Sequence, residues 1–324
     1  MGVLRFILSV FLLLSAAGQP AAGTEKSPWG KKPYGILLIG PAGGHSWNAT
    51  ISSLRKELGS QKPLETVSGT YGTRELQHAL DRLKATSVQK IVVVPLSLHS
   101  KTMEIDQLKY MLGISEHPSK AYIDAWRMNE RLIKRAKVKL PITIGGGLDA
   151  APLVGEILTA QAKKLSREPA KESVVLVGFG TEADEANTVH KRLLDTLGGQ
   201  IRAQGGYQDV RTHLMRPSTK DKPKLDADSE RRLRTLIKNL SVKSRVIVLT
   251  HMLEQDGQER TLHKKLDYLF YRWGAGSLLP DKRITSWIMA EAEKAALTET
   301  MVKYKDDGKQ RPAENPMKKR KIAP

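Results

Sequence analysis

The chain contains no cysteine. Disulfides, iron–sulfur clusters, thiolate zinc sites and cysteine-linked haem are thereby excluded, and any metal ion would have to be held by His, Asp, Glu or backbone oxygen. Aromatic residues are scarce at 5%, with 4 Phe in all, and no aromatic motif of the kind that stacks RNA bases occurs. Acidic residues are in the minority, 34 Asp and Glu against 53 Lys and Arg, for a formal charge of +19. Long apolar runs are also missing, since a spanning helix takes roughly 20 residues. The longest run, Phe6 to Ala17, follows Arg5 and precedes small residues ending at Gly23. That is the pattern of an export signal over residues 1–23, with an uncleaved amino-terminal anchor as the alternative. The expected location is periplasmic or secreted, with no membrane span once the leader is removed.

What remains is long enough for a substantial core. Of 324 residues 40% are hydrophobic and 27% charged, the balance of a soluble globular protein. A field of this sign attracts anions over a Debye length of about 8 Å. Three classes qualify: nucleic acid, an acidic membrane surface and a polycarboxylate small molecule. Export, and the lack of a helix carrying base-reading residues, argue against specific nucleic-acid binding.

From Tyr34 onward strands and helices alternate. Gly35–Ile39 reads as a strand, followed by the glycine-rich loop Gly40–Ser46 and a helix from about Trp47 to Leu58. Leu64–Ser68 reads as a second strand, and Thr73–Lys84 as an amphipathic helix with Leu76, Leu80 and Leu83 on one face. The β-branched run Ile91–Val94 reads as a third strand, buried on both faces, ending at Pro95 and delivering His99 and Ser100 to a helix mouth. Pro141–Gly146 is a fourth strand, feeding a helix from about Pro152 to Leu165. Ser166–Ser173 is a polar connection and the best domain boundary.

Beyond it the order recurs. SVVLVGFGTEADEAN, from Ser173, matches YGILLIGPAGGHSWN, from Tyr34; RVIVLTHMLEQ, from Arg245, matches KIVVVPLSLHS, from Lys90. Tyr207–Met215 and Ser229–Leu240 stand where the second strand and its helix belong, and Gly276–Ala295 supplies a short strand and a last helix. The offset of roughly 140 to 155 residues suits a duplicated domain rather than a solenoid. The expected fold is α/β, with two similar doubly wound parallel-sheet halves, 34–166 and 173–298, facing a central cleft. Residues 299–324 form a polar, basic tail.

The glycine loops match neither G-x-G-x-x-G nor a Walker pattern. Gly43 and Gly44 are therefore read as a tight turn or a close backbone approach by a ligand. Of 8 histidines, His78, His190 and His263 fall in helical patterns and read as surface or packing residues; His117 and His213 have no neighbour that suggests chemistry. His45, His99 and His251 fall at or just after strand ends, which parallel topology gathers on one edge of each sheet. Neutral imidazole suits cobalt, nickel, iron or zinc and accepts a proton near neutral pH. Glu104, and Glu254 in the place of His99 in the second repeat, are candidate carboxylates.

With this pattern laid out twice, the chain resembles the class II tetrapyrrole chelatases, the sirohydrochlorin cobaltochelatase and ferrochelatase family. LLIGPAGGHSWNATI, VVLVGFGTEADEAN, IVVVPLSLHSKTMEIDQLKYMLG, the run from Pro141 to Gly178 and VIVLTHML carry the resemblance, between about Tyr34 and Glu293. It implies a cleft where an anionic tetrapyrrole lies and a divalent metal ion, Co²⁺ or Fe²⁺, is inserted, with imidazoles holding the metal and taking the pyrrole protons. His99 lies on one of the family's histidine loops. The family's Gly-His-Gly run is absent, because Pro41 follows Gly40 and Phe179 follows Gly178; His45 is the candidate substitute. The resulting expectation is a lyase-type chelatase with His99 and His45 as metal ligands, His99 and Glu104 as catalytic groups, and Gly43, Gly44 and Ser100 against the ligand. The alternatives are a chelatase fold that binds metal or tetrapyrrole without insertion, and a basic anion- or nucleic-acid-binding protein.

Overall fold

The computed structural model describes residues 32–305 apart from 42, 60–61, 70–71, 128–133, 182, 256 and 275. The expected export signal and most of the expected tail lie outside the described residues. The elements run β1 (Tyr34–Gly40), α1 (His45–Leu58), β2 (Leu64–Ser68), α2 (Thr73–Lys84), β3 (Lys90–Pro95), α3 (Met103–Met111), α4 (Lys120–Ala125), β4 (Ile142–Ile144) and α5 (Pro152–Leu165). Then follow β5 (Glu172–Phe179), α6 (Asp184–Gly205), β6 (Asp209–Met215), α7 (Leu225–Ser241), β7 (Arg245–His251), α8 (Gln258–Lys265), β8 (Arg272–Gly274) and α9 (Lys282–Ala296). The strands form two parallel sheets of the same winding, β2-β1-β3-β4 and β6-β5-β7-β8. This is the α/β fold of two doubly wound parallel halves that the sequence pattern predicts.

One strand differs from the sequence reading. The short strand expected in Gly276–Ala295 lies earlier, as β8 at Arg272–Gly274, where Trp273 pairs with Val248. Ser277–Pro280 instead forms a loop, in which the Leu278 and Leu279 amides donate to the carbonyls of Met252 and Leu253. The expected strand followed the apolar Leu278–Leu279 pair, whereas β8 is the half-buried Arg272-Trp273-Gly274, whose sequence carries no apolar run.

Alternation along the strands sorts the core into layers. Ile36 and Leu38 of β1, Val92 and Val94 of β3, Val174 and Leu176 of β5, and Ile247 and Leu249 of β7 all face one shared central core. Their neighbours Leu37, Ile39, Ile91 and Val93 face an outer core covered by α2 and α3. On the other sheet Val175, Val177, Val246 and Val248 face a second outer core, under α7 and α8. Helices α1, α5, α6 and α9 contribute to the central core between the sheets.

Two of those helices are exchanged. The last helix of the first segment, α5, packs on β7 and α6, and the last helix of the second, α9, packs on β3 and α1. Ile284, Ile288 and Ala292 of α9 therefore share a core with Val92 and Val94. Sequence segments and spatial units are thus not the same sets. Lys90, fully buried at the start of β3, fixes one crossing. Its ammonium donates to the Ala296 carbonyl at 2.8 Å and to that of Thr298, at the exit of α9.

Beyond α9 the chain returns to the first sheet. Met301 N–H donates to Ile142 O, and the Lys303 and Tyr304 amides donate to Gly113 O. Gly113 sits at φ 74, where only glycine is at ease, and a Cβ there would lie 2.1 Å from Tyr304 O.

Lys90→Met keeps the apolar stem and removes the ammonium, leaving carbonyls at the exit of α9 without a strong donor. We expect destabilisation of about 1–3 kcal/mol, read as a lower midpoint in urea unfolding with an unchanged far-ultraviolet spectrum.

Candidate functional site

The carboxyl ends of β3 and β7 face loops that bring three imidazoles together. His99 follows β3, His251 is the last residue of β7, and His190 projects from the second turn of α6. The ring centres of His99 and His190 lie 3.9 Å apart, edge to face. Those of His99 and His251 are 6.1 Å apart, and those of His190 and His251 are 6.4 Å apart.

Local sequence explains why each ring stands where it does. His190 shares the apolar stripe of α6 with Leu194, Leu197 and Ile201, so the helix turns it inward. It packs over Gly178, where a Cβ would come 3.4 Å from His190 Nε2 and 3.2 Å from Leu194. The β7 register puts His251 opposite that same Gly178. Gly180, next along, leaves room for Asn187, whose amide group accepts from Thr181 N–H and donates to the Thr181 and Ala183 carbonyls. The glycines of this loop therefore serve side chains of the protein itself.

His99 is held from its backbone. Ser100 N–H and Oγ–H donate to the two carboxylate oxygens of Asp149 at 2.8 and 2.6 Å, and Gly147 N–H donates to Ser100 Oγ at 2.8 Å. A Cβ on Gly147 would lie 2.7 Å from the His99 carbonyl carbon. Asp149 itself adopts φ 48, a conformation that Asp tolerates better than most residues. Ser100 is thus a clamp between the loops after β3 and β4.

Burial weakens the proton affinity of all three rings. His251 is 1% exposed and His190 6%. Burial pushes each down to about 3, and the neighbouring imidazoles push the same way. Burial also lowers His99, with Asp149 opposing it. Both ring nitrogens of His99 and of His251, and Nε2 of His190, are buried with no hydrogen-bond partner. Such orphaned groups are costly. A lone pair on neutral imidazole has two uses, accepting a proton or binding a metal ion.

The rings are not drawn up around an ion as they stand. Among the described residues no group of three or more His, Asp or Glu side chains forms a ready metal site. Two imidazoles on one tetrahedral ion put their ring centres about 5 Å apart, so the 3.9 Å pair must part for an ion to enter, while the pairs at 6.1 and 6.4 Å must close by about 1 Å.

Among the described residues, neither His45 nor Glu104 forms a metal-holding group with the triad. His45 is exposed at the first position of α1. Glu104 is exposed in the first turn of α3, where its charge acts on Tyr122. A Cβ on Gly44 would meet Glu254 at 2.5 Å, and one on Gly43 would lie 3.6 Å from Trp47. Glu254 accepts from Trp47 N–H at 2.9 Å, acting as the cap that Gly44 cannot supply to α1. Pro41 follows β1, and Phe179 ends β5 against the outer core of the second sheet. His190 is the residue that sequence reading passed over; its signal was a histidine in phase with Leu194, Leu197 and Ile201.

Two parallel sheets sharing a helical middle layer give the chain the fold of the class II tetrapyrrole chelatases. No protein-family model and no curated protein matches it, but solved structures do. SirB from Bacillus subtilis with Fe³⁺ gives a TM-score of 0.54 at 11% identity, covering 81% of this chain and 95% of that one. The sirohydrochlorin chelatase SirB from Bacillus subtilis subspecies spizizenii, in complex with cobalt, gives the same values. DR2241 from Deinococcus radiodurans, a multi-domain protein with structural similarity to chelatases, gives 0.50 at 16% identity, over 85% of this chain and 57% of its own. At these identities the likeness is one of fold.

The low proton affinity of the triad sets a pH dependence for folding. The unfolded chain protonates these histidines near pH 6.5, whereas folded His190 and His251 stay neutral down to about pH 3. Stability is therefore full above pH 6.5 and falls as pH drops toward 3, by up to about 1.4 kcal/mol per pH unit for each histidine. Urea midpoints measured between pH 7.5 and pH 5 are expected to fall accordingly in metal-free protein, and less steeply in His190→Leu and His251→Leu.

Proposed function

We propose that this protein inserts a divalent metal ion, cobalt or iron, into an anionic tetrapyrrole of the sirohydrochlorin type. The observation that carries the reading is the set of unpartnered, neutral imidazoles gathered from both sheets at their carboxyl edges. That is the edge where ligands bind in open α/β sheets. The chelatase fold supports it, and SirB structures are described with Fe³⁺ and with cobalt. A net charge of +19 suits a ligand bearing several carboxylates.

Insertion replaces two pyrrole protons by one dication and requires the metal to shed water. His251 and His190, neutral well below pH 7, offer lone pairs to the metal substrate without first losing protons. His99 is the least buried of the three, and Asp149 supports its protonated form. It is therefore assigned as a ligand that hands the ion to the macrocycle and then, with its lone pair freed, accepts one departing pyrrole proton, the second leaving to solvent. His45, exposed at the mouth of α1, is a candidate for first contact with the ion, while Glu104 has no part in this reading. An export leader would place the reaction in the periplasm or outside the cell.

A second reading, binding without insertion, draws support from Pro41 and Phe179, neither of which can ligate a metal, and from the depth of His251. One assay separates the two: cobalt insertion into sirohydrochlorin followed by absorbance. Wild type is expected to turn over, and His99→Ala to lose at least about tenfold in rate. Turnover that survives the substitution removes His99 from its role. Tight cobalt binding in calorimetry with no turnover in wild type selects the second reading.

A further inference from the structure

Tyr268, Phe270, Tyr271 and Trp273 crowd one short stretch of a chain that is only 5% aromatic. Two of them stand in solvent: Tyr268 is 99% exposed and Phe270 87%. Tyr268 also adopts φ 66, a left-handed conformation that is strained for an aromatic residue. A turn that spends free energy to hold its rings outward marks a contact surface.

Beside this turn runs a groove of about 590 Å³ along α7, with Arg231, Arg234 and Lys238 on one wall and Tyr268, Leu269 and Phe270 on the other. Arg234 bonds to the carbonyls of Lys265 and Asp267, which hold its guanidinium at the groove wall. Arg231 pairs with Asp228, and Glu230, the acidic residue of the groove, is taken up by Lys265 at 3.2 Å. Val242, 81% exposed, extends the apolar rim past the end of α7.

We propose that this face docks on the anionic surface of a phospholipid bilayer. Cations beside solvent-facing aromatic and aliphatic side chains match both halves of such a surface: phosphate meets Arg231, Arg234 and Lys238, and the interfacial zone takes Tyr268, Phe270 and Val242. Stacking of nucleic-acid bases would use the rings but leaves no part for Val242 and Leu269. The docking turn leads into the amino end of β8, whereas His251 stands at the carboxyl end of β7. Docking therefore leaves the histidine edge open.

The test is sedimentation of the full chain with phosphatidylcholine vesicles, with and without phosphatidylglycerol, at low and high salt. Wild type is expected to bind the anionic vesicles at least about tenfold more tightly than neutral ones, with loss at high salt. Tyr268→Ser/Phe270→Ser and Arg231→Glu/Lys238→Glu are each expected to weaken binding about tenfold while thermal melting stays within a few degrees. These side chains are on the surface, so folding is spared. Equal binding to both vesicle types, no binding, or unchanged binding by either variant overturns the proposal. So does an oligothymidylate that binds more tightly and displaces the vesicles, which would assign the face to nucleic acid.

Discussion

Burial of the inner faces of both sheets against one set of helices is the constraint on which the molecule depends. Ile36, Leu38, Val92 and Val94 from one sheet, and Val174, Leu176, Ile247 and Leu249 from the other, are all fully buried in a single core. Because α5 and α9 each serve the opposite sheet, neither half can bury its inner face with its own helices alone. Apolar burial at about 25 cal/mol per Å² therefore fixes the distance between the two carboxyl edges as firmly as it fixes the sheets. The polar ties across the interface, Glu254 to α1 and Glu291 to Gly146 N–H at 2.7 Å, add direction to that packing.

The same rigidity gives the histidine triad its character. Three basic groups held within 3.9 to 6.4 Å of one another in a dry interior cannot all be charged. Neutrality follows from position rather than from a special partner, and leaves lone pairs uncommitted.

Much of the fold was legible because its signals were local and repeated. β-branched runs such as Ile91–Val94, glycine loops at strand ends, and the recurrence of Lys90–Ser100 at Arg245–Gln255 indicate parallel sheets of like winding. The helix exchange was not legible: the apolar face of α9 is the same whichever sheet it covers, and only the third dimension decides. At the site, topology led to His99 and His251, since both terminate strands. His190 was hidden by its helix, where a single polar residue on an apolar stripe reads as packing. Gly44 reads in the sequence as a tight turn or a close approach by a ligand, whereas in the structure Glu254 fills the space a Cβ would take. A sequence marks where a side chain is missing but not which atom takes the room.

The return of the chain across the first sheet has a consequence for tethering. Tyr34 starts β1, and the described chain leaves at the other end from beside Ile142, the start of β4, held by the amides of Met301, Lys303 and Tyr304. Both exits lie on the amino edge of the first sheet, the side away from His99. A tether leaving from either end of the described chain, at Tyr34 or past Tyr304, would pull on the side away from His99, so the carboxyl edges keep the same freedom of approach whether the protein diffuses freely or is moored.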